Sequence, residues 1–325
     1  MQVPLSNRHV ETMNNLTELC TCTYSIKAMV NKEVEVIEHV AVIGGDRRQV
    51  ELVHRLKKSV AHISVVGFDQ LSFLDANITE HALSEVPWEK LSAILFPVSG
   101  VDADGEVEAQ YAPKPLIVTR EMLAKKQNSC FVFAGIRTDF LKDMGENLVC
   151  WMERDDVAVY NSVPTAEGAL MLAMQNTTAT IHNASVVILG FGRCGKTLAD
   201  LFQSVGAKVT VVTDGDTEKA RAHQAGHGVL SLRTMQTELA GADICINTIP
   251  ASVLTKDTLP HVKKNCYILD IASRPGGVDM EAAGQLGLKA QEAPGLPGKV
   301  APETAGDILA IVTLAILNSE NKKGR

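Results

Sequence analysis

No stretch of this 325-residue chain approaches the roughly 20 consecutive apolar residues that cross a bilayer, so no spanning helix is expected. The amino terminus has no basic segment leading into an apolar core. No secretory signal is therefore predicted, and a cytosolic protein is expected. Lys and Arg number 31 against 38 Asp and Glu, and no basic stripe is interleaved with aromatics, which sets nucleic acid aside as a partner. There is no Cys-x-x-Cys pair. Cys130, Cys150, Cys194, Cys245 and Cys266 are scattered, mostly in apolar runs, and read as reduced core residues. Cys20 and Cys22 offer only two ligands in a polar leader, and the nine histidines do not cluster at ligand spacing, so no metal site is expected.

What remains is a globular composition, 46% hydrophobic and 21% charged, at a length that suits two domains better than one core. Residues 1–38 lack a repeating apolar period and read as a leader without assigned function. From there a β-α rhythm begins. Apolar strands are predicted at 40–43, 63–66, 93–96 and 130–134, with a helix over 46–58 and a loop over 99–114. The rhythm repeats more cleanly at 185–189, 208–212, 244–247, 267–271 and 288–290. Near-continuous apolar strands alternating with helices imply parallel sheets covered on both faces. The fold class is α/β: two Rossmann-like domains with parallel sheets, 39–163 flavodoxin-like and 164–300 dinucleotide-binding. They are joined by an Ala/Leu/Met-rich interdomain helix over 165–175, and a helix over 302–317 returns in segment 301–325. That last helix is apolar on so much of its surface that it must be buried, against the first domain or the seam.

The strand over 185–189 runs straight into Gly190-Phe191-Gly192-Arg193-Cys194-Gly195, and a helix over 196–204 follows. A Gly-x-Gly-x-x-Gly run in that context is the dinucleotide fingerprint. Gly190 permits the tight turn, Gly192 lets backbone approach the pyrophosphate, and Gly195 lets helix and strand pack closely. The helix N-terminus adds free N–H groups and partial positive charge. Asp214 ends the next strand nineteen residues past Gly195, where a carboxylate accepts hydrogen bonds from the adenosine ribose and repels a 2′-phosphate. On its own this position favours NAD over NADP. Asn247, Thr248 and Ile249 end a later strand at the crevice and are candidates for the nicotinamide ribose.

Three further segments point to the same crevice. The 269–279 segment carries Arg274 and Pro275 past a strand end, and a guanidinium there suits a carboxylate. The 294–302 segment is a Pro/Gly-rich loop with Lys299. The 161–168 segment, with Asn161, Ser162 and Thr165, reads as the start of the interdomain helix; Ser162 or Thr165 is a candidate cap and Glu167 falls in the first turn. The first domain adds Gly44-Gly45-Asp46-Arg47-Arg48-Gln49, a turn lacking the third glycine of a fingerprint. It is assigned no second dinucleotide. Arg47 suits a carboxylate and Arg48 reads as a surface residue. Ser99 lies past a later strand of the same domain.

This arrangement resembles the D-2-hydroxyacid dehydrogenase and adenosylhomocysteinase superfamily, in which Asp270-Ile271-Ala272-Ser273-Arg274 looks like the segment carrying the substrate-binding arginine. The catalytic histidine of the hydroxyacid dehydrogenases has no counterpart; 294–298 stands in its place. A fuller resemblance runs from residue 38 onward, through 42–49, 66–70, 153–156, 160–165, 245–250, 272–277 and 293–298, to the dipicolinate synthase A-subunit family. It implies an enzyme of the sporulating mother cell's cytoplasm, with a homo-oligomeric core and, for partner, a flavoprotein-like B-subunit of dipicolinate synthase. The implied activity is NAD(P)-dependent oxidation of the dihydrodipicolinate or hydroxytetrahydrodipicolinate intermediate to pyridine-2,6-dicarboxylate. It also implies NADP, through an Ala-Arg-Ser segment where this chain has Thr213-Asp214-Gly215. Two cationic anchors suit a ring with two carboxylates, Arg274 and Arg47. For the base, Glu167 is the first candidate, with Asp270 and Lys299 as alternatives. The rival readings are a 2-hydroxyacid dehydrogenase and a non-catalytic, nucleotide-binding regulatory subunit.

Overall fold

The computed structural model describes residues 36–323. The leader expected over 1–38, with Cys20 and Cys22, lies almost wholly outside the described residues. The first sheet contains β1 (Ile37–Ile43), β2 (Val60–Val66), β3 (Ile78–Glu80) and β4 (Ala93–Leu95). A short antiparallel pair, β5 (Glu106–Val107) and β6 (Leu116–Ile117), then precedes β7 (Phe131–Ala134) and β8 (Leu148–Cys150). The order β3-β2-β1-β4-β7-β8 is parallel throughout. Helix α1 (Arg47–Leu56) crosses from β1 to β2, and α2 (Arg120–Ala124) precedes β7.

Helix α3 (Asp155–Asn176) leads into the second sheet. There β9 (Ser185–Leu189), α4 (Arg193–Ser204), β10 (Lys208–Val212), α5 (Asp216–Gln224) and β11 (Gly228–Leu230) follow one another. Next come α6 (Gln236–Leu239), β12 (Ile244–Asn247), β13 (Tyr267–Asp270), α7 (Met280–Gln285) and β14 (Lys289–Glu292). Helices α8 (Leu296–Val300) and α9 (Pro302–Lys323) close the chain. The order β11-β10-β9-β12-β13-β14 repeats that of the first sheet, and its strands are also parallel. In such sheets ligands sit beyond the carboxyl ends of the strands, where the connections reverse direction. Here that point lies between β9 and β12 and between β1 and β4.

The central strands were legible because they are apolar on both faces: all four residues of β12 and of β13 are buried. Strands of three residues at sheet edges, β3 and β11, carry no such signal. The interdomain helix departs most from expectation. It begins at Asp155, ten residues before 165, and runs through Pro164. A proline at 164 resembles a first-turn residue, which is why the sequence suggests a later start. Inside the helix, Thr165 Oγ1 donates to the Asn161 carbonyl at 2.7 Å and Ser162 Oγ to the Val159 carbonyl at 2.7 Å. Neither therefore caps the helix, and Glu167 is not in its first turn; Asp155 and Asp156 are.

The returning helix α9 buries Ile308, Leu309, Val312 and Leu317 in one core with Leu52, Val53 and Leu56 of α1. Gly306 makes the approach possible, since a Cβ there would strike the Arg48 carbonyl and Glu51 Cβ. The Trp151 indole donates to Thr313 Oγ1 at 3.1 Å in the same buried region. Among the described residues no helix is long and apolar enough to cross a membrane, and no group of three or more His, Cys, Asp or Glu side chains could hold a metal.

Candidate functional site

At the carboxyl end of β9, Gly190 has φ +92°, a conformation that favours glycine, and a Cβ there would meet Thr248 Oγ1 at 2.5 Å. A Cβ on Gly195 would run into the Gly190 carbonyl, so helix and turn touch directly. Gly192 differs from both. It is the N-cap of α4 with ordinary extended φ of −77°, and among the described residues it has no side-chain cap and a Cβ on it would meet nothing within 4 Å. The α4 N-terminus thus presents uncapped backbone N–H groups to open space, which is the cradle a pyrophosphate requires.

The flanking side chains have separate tasks. Phe191 is buried and stands edge-on to the His227 ring, with centroids 5.9 Å apart. Its side chain therefore belongs to the core, which leaves only its backbone for a cofactor contact. Arg193 is exposed and paired with Asp155 of α3 at 2.6 Å. Cys194 is partly buried, and burial pushes its thiol above the ordinary value. Burial also lifts Cys130 to about 11 and Cys266 to about 12, so these thiols stay protonated at neutral pH.

Asp214 is exposed past the end of β10, where its carboxylate accepts from Leu232 N at 3.0 Å. Behind it Glu218 bonds Thr213 Oγ1, which in turn accepts from Gly215 N at 3.3 Å. Sequence reasoning missed Glu218. Its only signal is position, in the first turn of α5. Two carboxylates flank this corner.

Asn247 does not reach into the crevice. It is fully buried; its Nδ2 donates to Ile249 O at 3.0 Å and to Asp270 Oδ1 at 2.9 Å, while its Oδ1 accepts from Ile249 N at 3.1 Å. All of its near polar capacity is spent, which corrects its assignment to the nicotinamide ribose. Thr248 Oγ1 donates to Leu189 O at 2.8 Å, and Ile249 packs beside Gly190, so this pair forms the wall of the turn. Asp270 is likewise ruled out as a base. It accepts from Asn247 Nδ2, Ala272 N, Gly277 N and Val278 N, all within 3.1 Å.

The loop so held carries Ser273, Arg274 and Pro275, all exposed. Arg274 has no ion-pair or hydrogen-bond partner among the described residues. Glu167 lies on the solvent-facing side of α3 with Val159, Val163 and Met174, whereas Ser162, Thr165 and Gly168 are buried. Glu167 thus lies on the exposed face of α3, and Ser162, Thr165 and Gly168 on the buried one. Helical phase decides this: 163 and 167 share a face, 161 and 165 the other. Ser162 Oγ also bonds Thr197 Oγ1 at 2.7 Å, docking α3 on the start of α4. Asn161 Oδ1 is buried with no hydrogen-bond partner among the described residues.

In the first domain the structure reverses the expectation for Arg48. Arg47 is 65% exposed and lies 3.7 Å from Glu51. Arg48 is only 18% exposed; its Nε and Nη2 donate to Asp46 and it lies over Gly298, where a Cβ would meet Nε at 2.8 Å. Arg48 is thus no idle surface residue but the first-domain side of a contact with the 294–300 segment. Lys299 in that segment is exposed. Ser99 is exposed and donates to Glu108 Oε2 at 2.6 Å.

Two family models match the chain: the dipicolinate synthase A-subunit N-terminal domain over residues 39–150, and the D-isomer specific 2-hydroxyacid dehydrogenase NAD binding domain over residues 160–283. The dipicolinate synthase A-subunit of Bacillus subtilis (strain 168) is 39% identical over 282 residues, covering 86% of this chain and 95% of that protein. The crystal structure of the dipicolinate synthase A-subunit from Bacillus halodurans superposes with a TM-score of 0.84 at 42% identity, covering 87% of this chain and 99% of that one. A transhydrogenase from Sinorhizobium meliloti shares the fold alone, with a TM-score of 0.61 at 15% identity over 86% of this chain and 94% of its own.

Proposed function

The chain belongs to the dipicolinate synthase A-subunit family, and on that premise we propose that it oxidises a dihydropyridine dicarboxylate to pyridine-2,6-dicarboxylate with a nicotinamide dinucleotide. Its second domain is a dehydrogenase-type NAD-binding domain. The observation that carries the reading is Arg274: an exposed guanidinium with no partner among the described residues, on a rigidly held loop at the same sheet edge as the open Gly192 cradle.

The nicotinamide ring supplies a hydride acceptor when bound. Gly190, Gly192 and Gly195 with the α4 N-terminus would hold the pyrophosphate, and Asp214 would take the adenosine ribose. Asp214 and Glu218 disfavour a 2′-phosphate, so NAD is the proposed form. Arg274 grips one ring carboxylate through two parallel hydrogen bonds. Arg47 takes the other from across the cleft, and Ser99, Asn161 and Pro275 line the space between. With the cofactor bound, the ring would give up a hydride and, to a base, a proton, and become aromatic. Asp270 is saturated with donors, which leaves Glu167 first and Lys299 second as candidates for that proton. A 2-hydroxyacid dehydrogenase reading lacks its histidine at 294–298.

The partners proposed in the cytoplasm of the sporulating mother cell are further copies of this chain, in a homo-oligomeric core, together with a flavoprotein-like B-subunit. The apolar residues of α9 are spent on α1, so the surface that supports association is the exposed stripe Val159, Val163, Met171 and Met174 on α3.

Arg274→Lys tests the reading. Losing a charge-assisted bidentate pair costs about 1.5–3 kcal/mol, or roughly ten- to a hundred-fold in the apparent substrate constant. NAD affinity and Tm should hold. Formation of reduced nicotinamide from the lysine-pathway intermediate with unchanged substrate constants would remove Arg274 from the site.

A further inference from the structure

Asp270 is a buried carboxylate at the end of β13, and what surrounds it is all donor. Asn247 Nδ2 and Ala272 N approach Oδ1 at 2.9 and 3.1 Å, and Gly277 N and Val278 N approach Oδ2 at 2.8 and 3.1 Å. Three of the four are backbone amides from the two ends of the loop whose tip is Arg274. The carboxylate therefore ties residues 272 and 277–278 to one point. The fourth donor cannot adapt, because the Asn247 amide is fixed by both the N–H and the carbonyl of Ile249. It must present its NH₂ to Asp270. An acceptor-only group with two oxygens matches this set; an amide does not.

The geometry points to Asp270 as the positioning residue for Arg274: it fixes the loop that aims the guanidinium, and it takes no part in proton transfer. Through Asn247 the same bonds reach Ile249, the wall of the Gly190 turn, so one buried carboxylate sets the anion-binding loop against the cofactor cradle. Arg274 has no other anchor among the described residues, so its aim depends on this loop. The substrate half of this inference rests on the proposed grip of Arg274 on a carboxylate; the loop half does not.

Asp270→Asn is the test, because it keeps the shape and turns one acceptor into a donor facing donors. Backbone amide exchange on the full chain reads the loop directly. In the native protein the amides of Ala272, Gly277 and Val278 should be protected although the loop tip is exposed. In Asp270→Asn, exchange over 271–278 should accelerate by about tenfold or more while peptides of α4 keep their rates. Pyridine-2,6-dicarboxylate affinity, measured by calorimetry with NAD present, should fall roughly ten- to a hundred-fold, as expected when a binding group is misplaced. NAD affinity should stay within about twofold, a factor small beside the coupling expected for contacting residues. Adding Arg274→Lys to Asp270→Asn should then cost little more.

Unprotected amides at 272, 277 and 278 in the native protein would overturn the inference even if the variant failed to fold. So would Asp270→Asn with native exchange over 271–278, or full additivity of the two substitutions. Failure of the native protein to bind the dicarboxylate at all would refute the proposed function instead, and the exchange rates would still decide whether Asp270 holds the loop.

Discussion

The molecule contains the same β-turn-α unit twice, and only one copy is open. Both β1 and β9 are central strands of parallel sheets with one strand order, and both end in glycines before a helix. At the first turn, Asp46 caps α1 with its own side chain: it accepts from Arg48 N at 2.8 Å, and Gln49 Oε1 accepts from Asp46 N at 3.1 Å. The Glu108 backbone closes over the turn, accepting from Gly45 N at 2.6 Å, and a Cβ on Gly44 would meet that carbonyl at 2.5 Å. At the second turn, Gly192 supplies no cap and its Cβ position is empty. A helix N-terminus attracts anions in both cases. The first is satisfied by a carboxylate of the protein and the second is left for a ligand. Topology alone therefore does not make a nucleotide site; the identity of the N-cap residue does.

Substitutions at the two turns should separate along this line. The largest effect is expected at Gly195. Gly195→Ala drives a methyl into the Gly190 carbonyl and should lower stability by about 3 kcal/mol, at the upper end of overpacking costs. Gly192→Ala should leave Tm unchanged yet weaken NAD by at least about thirtyfold, or roughly 2 kcal/mol. Paired thermal melts and calorimetry check both, and a destabilised Gly192→Ala would erase the distinction.

The next effect belongs to the closed turn. Asp46→Ala removes the cap of α1 and releases Arg48 from its carboxylate, so stability should fall by about 1 kcal/mol. NAD affinity should not change. A loss of NAD affinity in this variant would mean that the first turn takes part in nucleotide binding after all.

The smallest effect lies on the joint between α1 and α9. Burial holds the Asp307 carboxyl above its usual value; Glu303 adds to this, while Arg55 and Lys58 oppose it. The native state therefore binds that proton more tightly than the unfolded chain. Its contribution is present at low pH and is lost as pH rises through the native value. Asp307→Asn should raise Tm slightly at neutral pH, and the gain should vanish below about pH 4, where the acid is protonated in both states. An equal gain at both pH values would show that the change acts through packing.

Much of this comparison was legible in the chain. The glycine spacing after 185–189 and the apolar strands located the cradle, because burial on both faces and backbone freedom each leave a local signature. The cap of the first turn by Asp46 and Gln49 was not read from the sequence, where Asp46 was expected inside the helix over 46–58. What the sequence hid depends on phase and depth. The helix was expected to start within 161–168, which placed Glu167 in a first turn; it starts at Asp155 instead, so Asp155 and Asp156 hold that place. Asn247 and Asp270 end strands as site residues do, yet they turn inward, and only their partners reveal that they build the crevice rather than line it. The contact of Arg48 with Gly298 joins residues 250 positions apart, beyond any local pattern.

The central claim is that the second turn alone accepts a nicotinamide dinucleotide, and stoichiometry tests it most directly. Calorimetric titration of the full chain with NAD should give one site per chain, abolished or severely weakened by Gly192→Ala, with NADP binding more weakly than NAD. Two equivalent sites per chain, or one site that survives Gly192→Ala with native affinity, would contradict it.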